Sequence, residues 1–300
     1  MSNQELRIVV TDSGLGGLYV AARLYEWTKQ TPGFEPVKVI FANALPETSQ
    51  GYNKMESTAL KIATFDRVLW GIERNFHPDI IAIACNTLSV LADQTGYFAE
   101  NKEKLSEVVS TGIEEFLSLM DSEDSSLIAI LATETTIESD VHRQKLILGG
   151  TDPKLIFTQA CPNLASAIEK DPNSPETLNI VERCVRSISG QIPSIKPDIC
   201  VYLGCTHYGY ISEFIAAQFR GFGFENVRIF NANDSLVKEL QNLLSSISQQ
   251  KAVSGLTSIE VFSRCEFLPE EIQSISALIL PISPDTARAL QHYTLNPDLF

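Results

Sequence analysis

Short apolar, β-prone runs alternate with stretches whose apolar residues recur at helical spacing along almost the whole chain. Extended segments are predicted over residues 6–11, 37–42 and 80–84, with a short one over 107–111. Helices are predicted over 18–30, 58–75, from 88 onward and over 113–119; in the second of these Leu60, Ala63, Val68, Leu69 and Ile72 carry the spacing. After a polar turn over 121–126 the pattern restarts, with strands over 127–132, 155–159, 199–203 and 227–231 and helices over 137–146, 176–189, 211–219 and 235–247. A late strand over 258–262 and helices over 269–277 and 284–293 follow. Strand–helix alternation of this kind predicts an α/β fold with mainly parallel sheets.

One device occurs twice. Pro78-Asp79-Ile80-Ile81-Ala82-Ile83-Ala84-Cys85-Asn86-Thr87 and Pro197-Asp198-Ile199-Cys200-Val201-Tyr202-Leu203-Gly204-Cys205-Thr206-His207 both open on Pro-Asp-Ile, run apolar, then deliver a small residue, a cysteine and a threonine. Each cysteine falls at the carboxyl end of a predicted parallel strand, facing the start of a helix, where α/β folds place ligands and where a thiol is acidified. We therefore expect two Rossmann-like α/β domains related by a pseudo-twofold, with the active site in the cleft between them. The expected division is 1–112 with 227–300 as a discontinuous first domain and 113–226 as the second. A cysteine from each half then faces one substrate as acid and base.

Composition narrows the partners. The formal net charge is −14, from 37 acidic and 23 basic residues, with the basic ones scattered. A nucleic-acid partner is excluded on that balance, because phosphate binding needs a basic face. No apolar run approaches a membrane span, and the first ten residues lack the pattern of a signal peptide. Six cysteines without a short-spaced framework read as free thiols in a reducing cytoplasm. No metal site is expected: Cys200 and Cys205 are an odd number of residues apart and point to opposite faces of a strand. Cys200 and Cys184 read as small buried apolar residues.

A further candidate is Thr11-Asp12-Ser13-Gly14-Leu15-Gly16-Gly17-Leu18, directly after a strand and opening a helix. A dinucleotide fingerprint fails, since Tyr19 stands where glycine or alanine is required, and no P-loop lysine follows. Either the glycines form a tight turn only, or free amides at the helix start hold a carboxylate. Asp12 at the strand tip favours a functional loop. In the cysteine turns, Asn86, Thr87 and Thr206 can donate to a ligand carboxylate, and His207 can act as a proton partner or as a cation holding a thiolate.

The ordered set Asp12-Ser13-Gly14-Leu15-Gly16-Gly17-Leu18, Ala84-Cys85-Asn86-Thr87 and Gly204-Cys205-Thr206-His207-Tyr208 resembles the cofactor-independent aspartate/glutamate racemase superfamily, with the glutamate racemases the nearest pattern. Thr133-Glu134-Thr135-Thr136-Ile137, Cys161-Pro162 with Glu169, and Asn233-Asp234-Ser235 are similar to further segments of that family. The resemblance implies an isomerase that needs no cofactor and moves an α-proton between two cysteines. It assigns Cys85 and Cys205 as that pair, Asp12 as assisting the first, and His207 with Glu169 as assisting the second. It assigns Ser13, Gly51, Asn86, Thr87, Thr133, Thr136 and Thr206 to the substrate. It further implies a small-molecule amino-acid partner, D-glutamate for peptidoglycan as product, and a homodimer.

The sequence also departs from the family. Asn43 replaces an aspartate, Gln50 stands where tyrosine is expected, and the loop Phe41-Ala42-Asn43-Ala44-Leu45-Pro46-Glu47-Thr48-Ser49-Gln50-Gly51 is longer by a residue. Glu138 and His142 stand where arginine and tyrosine are common, and the chain after about 256 matches nothing in the pattern. These changes leave open another amino acid or a hydantoin as substrate, a diacid isomerase, or a non-catalytic paralogue that binds a carboxylate.

Overall fold

The computed structural model describes residues 5–31, 36–47, 51–120, 126–192, 198–248 and 257–300. Gln50 and Pro197, and all of the 121–126 turn but Ser126, lie outside the described residues. The chain runs β1 (Leu6–Asp12), α1 (Leu18–Gln30), β2 (Val37–Asn43), α2 (Thr58–Phe76), β3 (Ile80–Ile83), α3 (Asn86–Ala92), α4 (Gly96–Asn101), β4 (Leu105–Glu107) and α5 (Val108–Leu119). It continues through β5 (Leu127–Ala132), α6 (Glu134–Glu138), α7 (Val141–Leu148), β6 (Ile156–Ala160), α8 (Leu164–Lys170), α9 (Pro175–Ser189), β7 (Asp198–Gly204), α10 (Ser212–Gly221), β8 (Asn226–Asn231) and α11 (Ala232–Ser248). Last come β9 (Ser258–Ser263), α12 (Pro269–Ile279), α13 (Pro284–Gln291) and β10 (Thr294–Leu295).

Two parallel sheets form, in the orders β10-β9-β2-β1-β3-β4 and β6-β5-β7-β8. Counted within each half, the first four strands share one order, second-first-third-fourth. The repeat seen in sequence is thus a repeat of topology, and both cysteine turns follow a third strand. The expected α/β fold with parallel sheets is borne out. The central strands β3, β5 and β7 read as continuous apolar runs because helices cover both faces and bury nearly every residue.

The helices obey local rules. In α2, Phe65, Val68, Leu69, Ile72 and Phe76 are buried, Ser57 caps the start by accepting from Leu60 N at 3.2 Å, and His77 ends it with φ 46°. In α9, Ser174 caps, Pro175 opens and Gly190 closes a helix whose buried face is Thr177, Ile180, Val181, Cys184, Val185 and Ile188.

Three expectations are corrected. The chain does not cross back at 227: β8 pairs with β7 along Asp198↔Asn226 to Leu203↔Asn231, so the second sheet runs to Asn231. The extended segment expected over 107–111 ends at Glu107, because that carboxylate accepts from Val109 N and Ser110 N, both at 3.2 Å, and starts α5. The helix expected over 137–146 is two, α6 and α7, broken where Asp140 takes φ 55°.

The crossovers α5 and α11 pack on each other and join both sheets in one apolar cluster, with Val109, Ile113 and Phe116 beside Tyr202 and Leu236. A side chain on Gly112 would meet the Tyr202 hydroxyl at 2.5 Å and Ala232 Cβ at 2.7 Å, so glycine there permits that approach. The segment that matched no motif, β9 onward, lies on the first sheet: β9 pairs with β2 from Lys38↔Ser258 to Asn43↔Ser263. Asn75 Nδ2 ties the chain end down by donating to Leu299 O at 3.1 Å.

Candidate active site

The carboxyl ends of β1, β3, β5 and β7 converge on one cavity of about 230 Å³. Cys85 and Cys205 both line it, each at the N-terminal end of the helical turn that follows its strand. They are 6% and 7% exposed, so each sulfur is nearly withdrawn from water while still bordering the cleft.

On the Cys85 side, Ser13 Oγ lies 3.1 Å from the sulfur. Burial pushes the thiol well up, the Asp12 carboxylate adds to this, and the Ser13 contacts offset part of it. Asp12 is itself raised, chiefly by burial, against the pull of His207 and of its hydrogen bonds from Thr206 and Gly14. Its Oδ1 accepts from Gly14 N at 3.1 Å and its Oδ2 from Thr206 Oγ1 at 2.8 Å.

On the Cys205 side, the sulfur is 3.6 Å from His207 Nδ1, which also lies 3.3 Å from Thr206 Oγ1. His207 Nε2 is 2.7 Å from Glu169 Oε1. Burial alone would drive His207 to its neutral form, but the Glu169 carboxylate and the Cys205 sulfur together hold it well above the ordinary range. Burial likewise opposes ionisation of Glu169, and His207 overrides it, so that carboxyl is lowered. The result is a buried imidazolium–carboxylate pair with its positive edge toward Cys205 and Thr206.

At the glycine loop two amides have partners within the protein: Leu15 N donates to Glu169 Oε1 at 2.6 Å, and Gly14 N to Asp12 Oδ1 at 3.1 Å. The carboxylate at this turn belongs to the protein and comes from the other half. A Cβ on Gly16 would meet Thr206 Oγ1 and His207 Nδ1, and one on Gly14 would meet Glu169 Oε1 at 2.5 Å. The glycines let β1's loop close onto the turn after β7. Asn43, the departure from the family's aspartate, holds the same loop by donating Nδ2 to Gly14 O at 2.8 Å and accepting from Leu45 N at 3.0 Å.

The polar floor is a hydroxyl cluster: Thr87 Oγ1 lies 2.8 Å from Thr133 Oγ1 and 3.3 Å from Thr136 Oγ1, with Thr133 and Thr136 3.0 Å apart. Thr87 and Thr133 border the cavity with Ser13, Gly51, Asn86 and Thr206, while Thr136 sits behind them and orients their hydroxyls. Asn86 Oδ1 is 3.1 Å from His142 Nε2, and burial holds His142 down at about 4, so the ring is neutral and donates. The amide is thereby turned. Its buried Nδ2 has no partner among the described residues, which leaves a donor beside the cavity.

The cysteines, Asp12, His207 and Glu169 named from sequence all border the one cavity. Sequence reasoning missed Tyr52, Asn53 and Lys54, Glu134, and Glu266, Phe267 and Glu271, which also line it. Periodicity carries no signal for such positions, which lie in connecting segments, in a short turn (Tyr52–Lys54) or in the first turn of a helix (Glu134, Glu271).

The site defines a class, an α/β protein in which each half brings a strand-end thiol, Cys85 or Cys205, to a small cleft that Cys161 also lines. No protein-family model matches the chain. It is 26% identical over 242 residues to glutamate racemase 3 of Caldanaerobacter subterraneus subsp. tengcongensis, spanning 80% of this chain and 79% of that protein. It is 27% identical to the glutamate racemase of Aliarcobacter butzleri, spanning 85% and 89%. The solved glutamate racemase of Francisella tularensis, in complex with D-glutamate, superposes with a TM-score of 0.69 over 93% of this chain and 94% of that one, at 19% identity. Picrophilus torridus aspartate racemase shares the fold at a TM-score of 0.51 and 10% identity, covering 83% and 96%. The chain is thus similar to glutamate racemases over most of its length, as the motifs implied, and the expectation of an isomerase is borne out.

Proposed function

We propose that this chain racemises an acidic amino acid, with glutamate the lead substrate, by proton transfer between Cys85 and Cys205 without a cofactor. The observation that carries the reading is that both sulfurs border one small cavity, each at the end of the third strand of its own sheet. Two-base exchange needs a group on each face of the α-carbon, and the topological repeat supplies one from each half.

The surroundings differ in a way that suits the two roles. Burial and Asp12 favour the protonated form of the Cys85 thiol, ready to give its proton. Cys205 faces the His207 imidazolium, the positive charge that a thiolate base requires beside it. After one turnover the roles are exchanged. The α-carboxylate is received by Asn86 Nδ2 and the Thr87–Thr133 hydroxyls, and the α-amino group by Asp12 with Ser13. These preorganised dipoles in a small cleft stabilise the carbanion-like species formed when so weak an acid loses its proton.

With this reading go a discontinuous first domain that resumes after Asn231, D-glutamate for peptidoglycan as product, a cytoplasmic location and a homodimer. Among the described residues no helix is long and apolar enough to cross a membrane. The test is incubation of L-glutamate with the protein in heavy water, following the α-proton and the circular dichroism. Loss of both signals is expected. Full retention by glutamate and by aspartate would overturn the proposal. A second reading, the same chemistry on another amino acid or diacid, draws on Asn43, which binds the β1 loop where the family's pattern has an aspartate.

A further inference from the structure

Two further free thiols meet in the wall of the cleft, and proton transfer between Cys85 and Cys205 uses neither. Cys161 lines the cleft itself, in the turn that joins β6 to α8. Cys184 of α9 lines a second cavity of about 320 Å³, together with Ala160, Pro162, Ile180, Arg183 and Ser187. Asn163 borders both cavities, so the turn over 160–163 is the partition between them. Pro162, Arg183 and Ser187 are exposed, which opens the second cavity to solvent.

The sulfurs meet at this partition. Cys161 Sγ lies 3.8 Å from Gln159 O, and Cys184 Sγ lies 4.0 Å from the next carbonyl, Ala160 O. The two thiols hydrogen-bond each other, with Cys161 as donor. That bond holds the Cys184 thiol below its ordinary value, burial opposes it, and Arg183 adds to the lowering. A thiol with thiolate character that borders a cavity, with a second thiol in contact to resolve it, has the parts of a redox-sensing pair.

We propose that Cys161 and Cys184 are a redox modification site, which hydrogen peroxide closes to a reversible disulfide. The Cys184 thiolate attacks the peroxide: an S–O bond forms, the O–O bond breaks, and hydroxide leaves. The hydroxide takes up the proton that Cys184 had released and becomes water. Cys161 then attacks the sulfenic sulfur; the S–S bond forms, the S–O bond breaks, and the Cys161 proton leaves with that oxygen as a second water. Two electrons pass from the sulfurs to the peroxide, and a small dithiol returns them. Because Cys161 lines the cleft, the link alters that lining from outside it. The pair is independent of the racemase reading, and its test needs no turnover.

The full chain is treated with hydrogen peroxide under native conditions, alkylated in denaturant, and digested with trypsin without reduction. Mass spectrometry should find peptide 155–170 joined to peptide 184–186, and dithiothreitol should separate them. Cys184→Ser should lose the link. Cys161→Ser should lose it too and instead hold sulfenic acid on Cys184, read by dimedone labelling. Full alkylation of Cys161 and Cys184 in the wild type after peroxide overturns the proposal. So does a link from Cys161 to Cys205 in its place, or a Cys161→Ser variant whose Cys184 takes no dimedone.

Discussion

Thr206 Oγ1 donates a 2.8 Å hydrogen bond to Asp12 Oδ2, joining the turn after β7 to the tip of β1 across 194 residues of chain. With its proton spent on Asp12, the same oxygen can accept from His207 Nδ1 at 3.3 Å. One hydroxyl thus couples the surroundings of the two cysteines. Replacement Thr206→Val should leave a buried carboxylate oxygen short of a donor and destabilise the protein by about 1–3 kcal/mol. Steady-state kinetics should show a loss of about a hundredfold in kcat, the expected result of misplacing reacting groups.

Each thiol is required in its own right. Cys85→Ala and Cys205→Ala should each abolish racemisation, read by polarimetry, with the far-ultraviolet dichroism of the wild type kept. Appreciable turnover in either variant contradicts the two-base scheme.

Glu169 sets the pH range of the Cys205 side. Burial opposes the charge on His207 and Glu169 overrides it, so the imidazolium persists above its ordinary range and is lost only as pH rises through that elevated value. Glu169→Gln removes the opposing charge and lets burial dominate. The alkaline fall of kcat/KM should move to lower pH by at least about one unit. A profile that stays in place would show that His207 does not govern activity.

His142 predicts an acid-side loss of stability. Its ring is buried against Tyr202, with centroids 5.4 Å apart, and burial holds it down at about 4 against an ordinary 6.5. The unfolded chain binds this proton first. The stability from keeping the ring neutral is therefore complete above about pH 6.5 and is lost as pH falls toward 4, at about 1.4 kcal/mol per pH unit. Denaturant unfolding should show the wild type losing about 2 kcal/mol more than His142→Phe between pH 6.5 and 5.

Gly16 is a position of close approach. Any side chain there meets Thr206 Oγ1 and His207 Nδ1, so Gly16→Ala must part the two halves of the cleft or displace the imidazole. A fall in kcat on the order of a hundredfold is expected, with little change in far-ultraviolet dichroism.

The alternation of apolar runs and helical spacing, together with the twofold Pro-Asp-Ile…Cys device, was enough to read the α/β class and to single out Cys85 and Cys205. Those features are local, written by burial on both faces of a strand and by the turn that ends it. Boundaries set by charge or strain were less legible, as at Glu107, whose carboxylate starts α5, and at Asp140, whose left-handed backbone splits a helix. What only the tertiary structure decided lies between elements distant in sequence. Leu15 N of the glycine turn binds Glu169 of the other half, His142 orients Asn86, and the segment from β9 onward brings Glu266, Phe267 and Glu271 to the cleft. Spacing along a chain reports which face of an element is buried, but not which distant side chain will meet it, and in this protein the charges and donors of the cleft are arranged by such meetings.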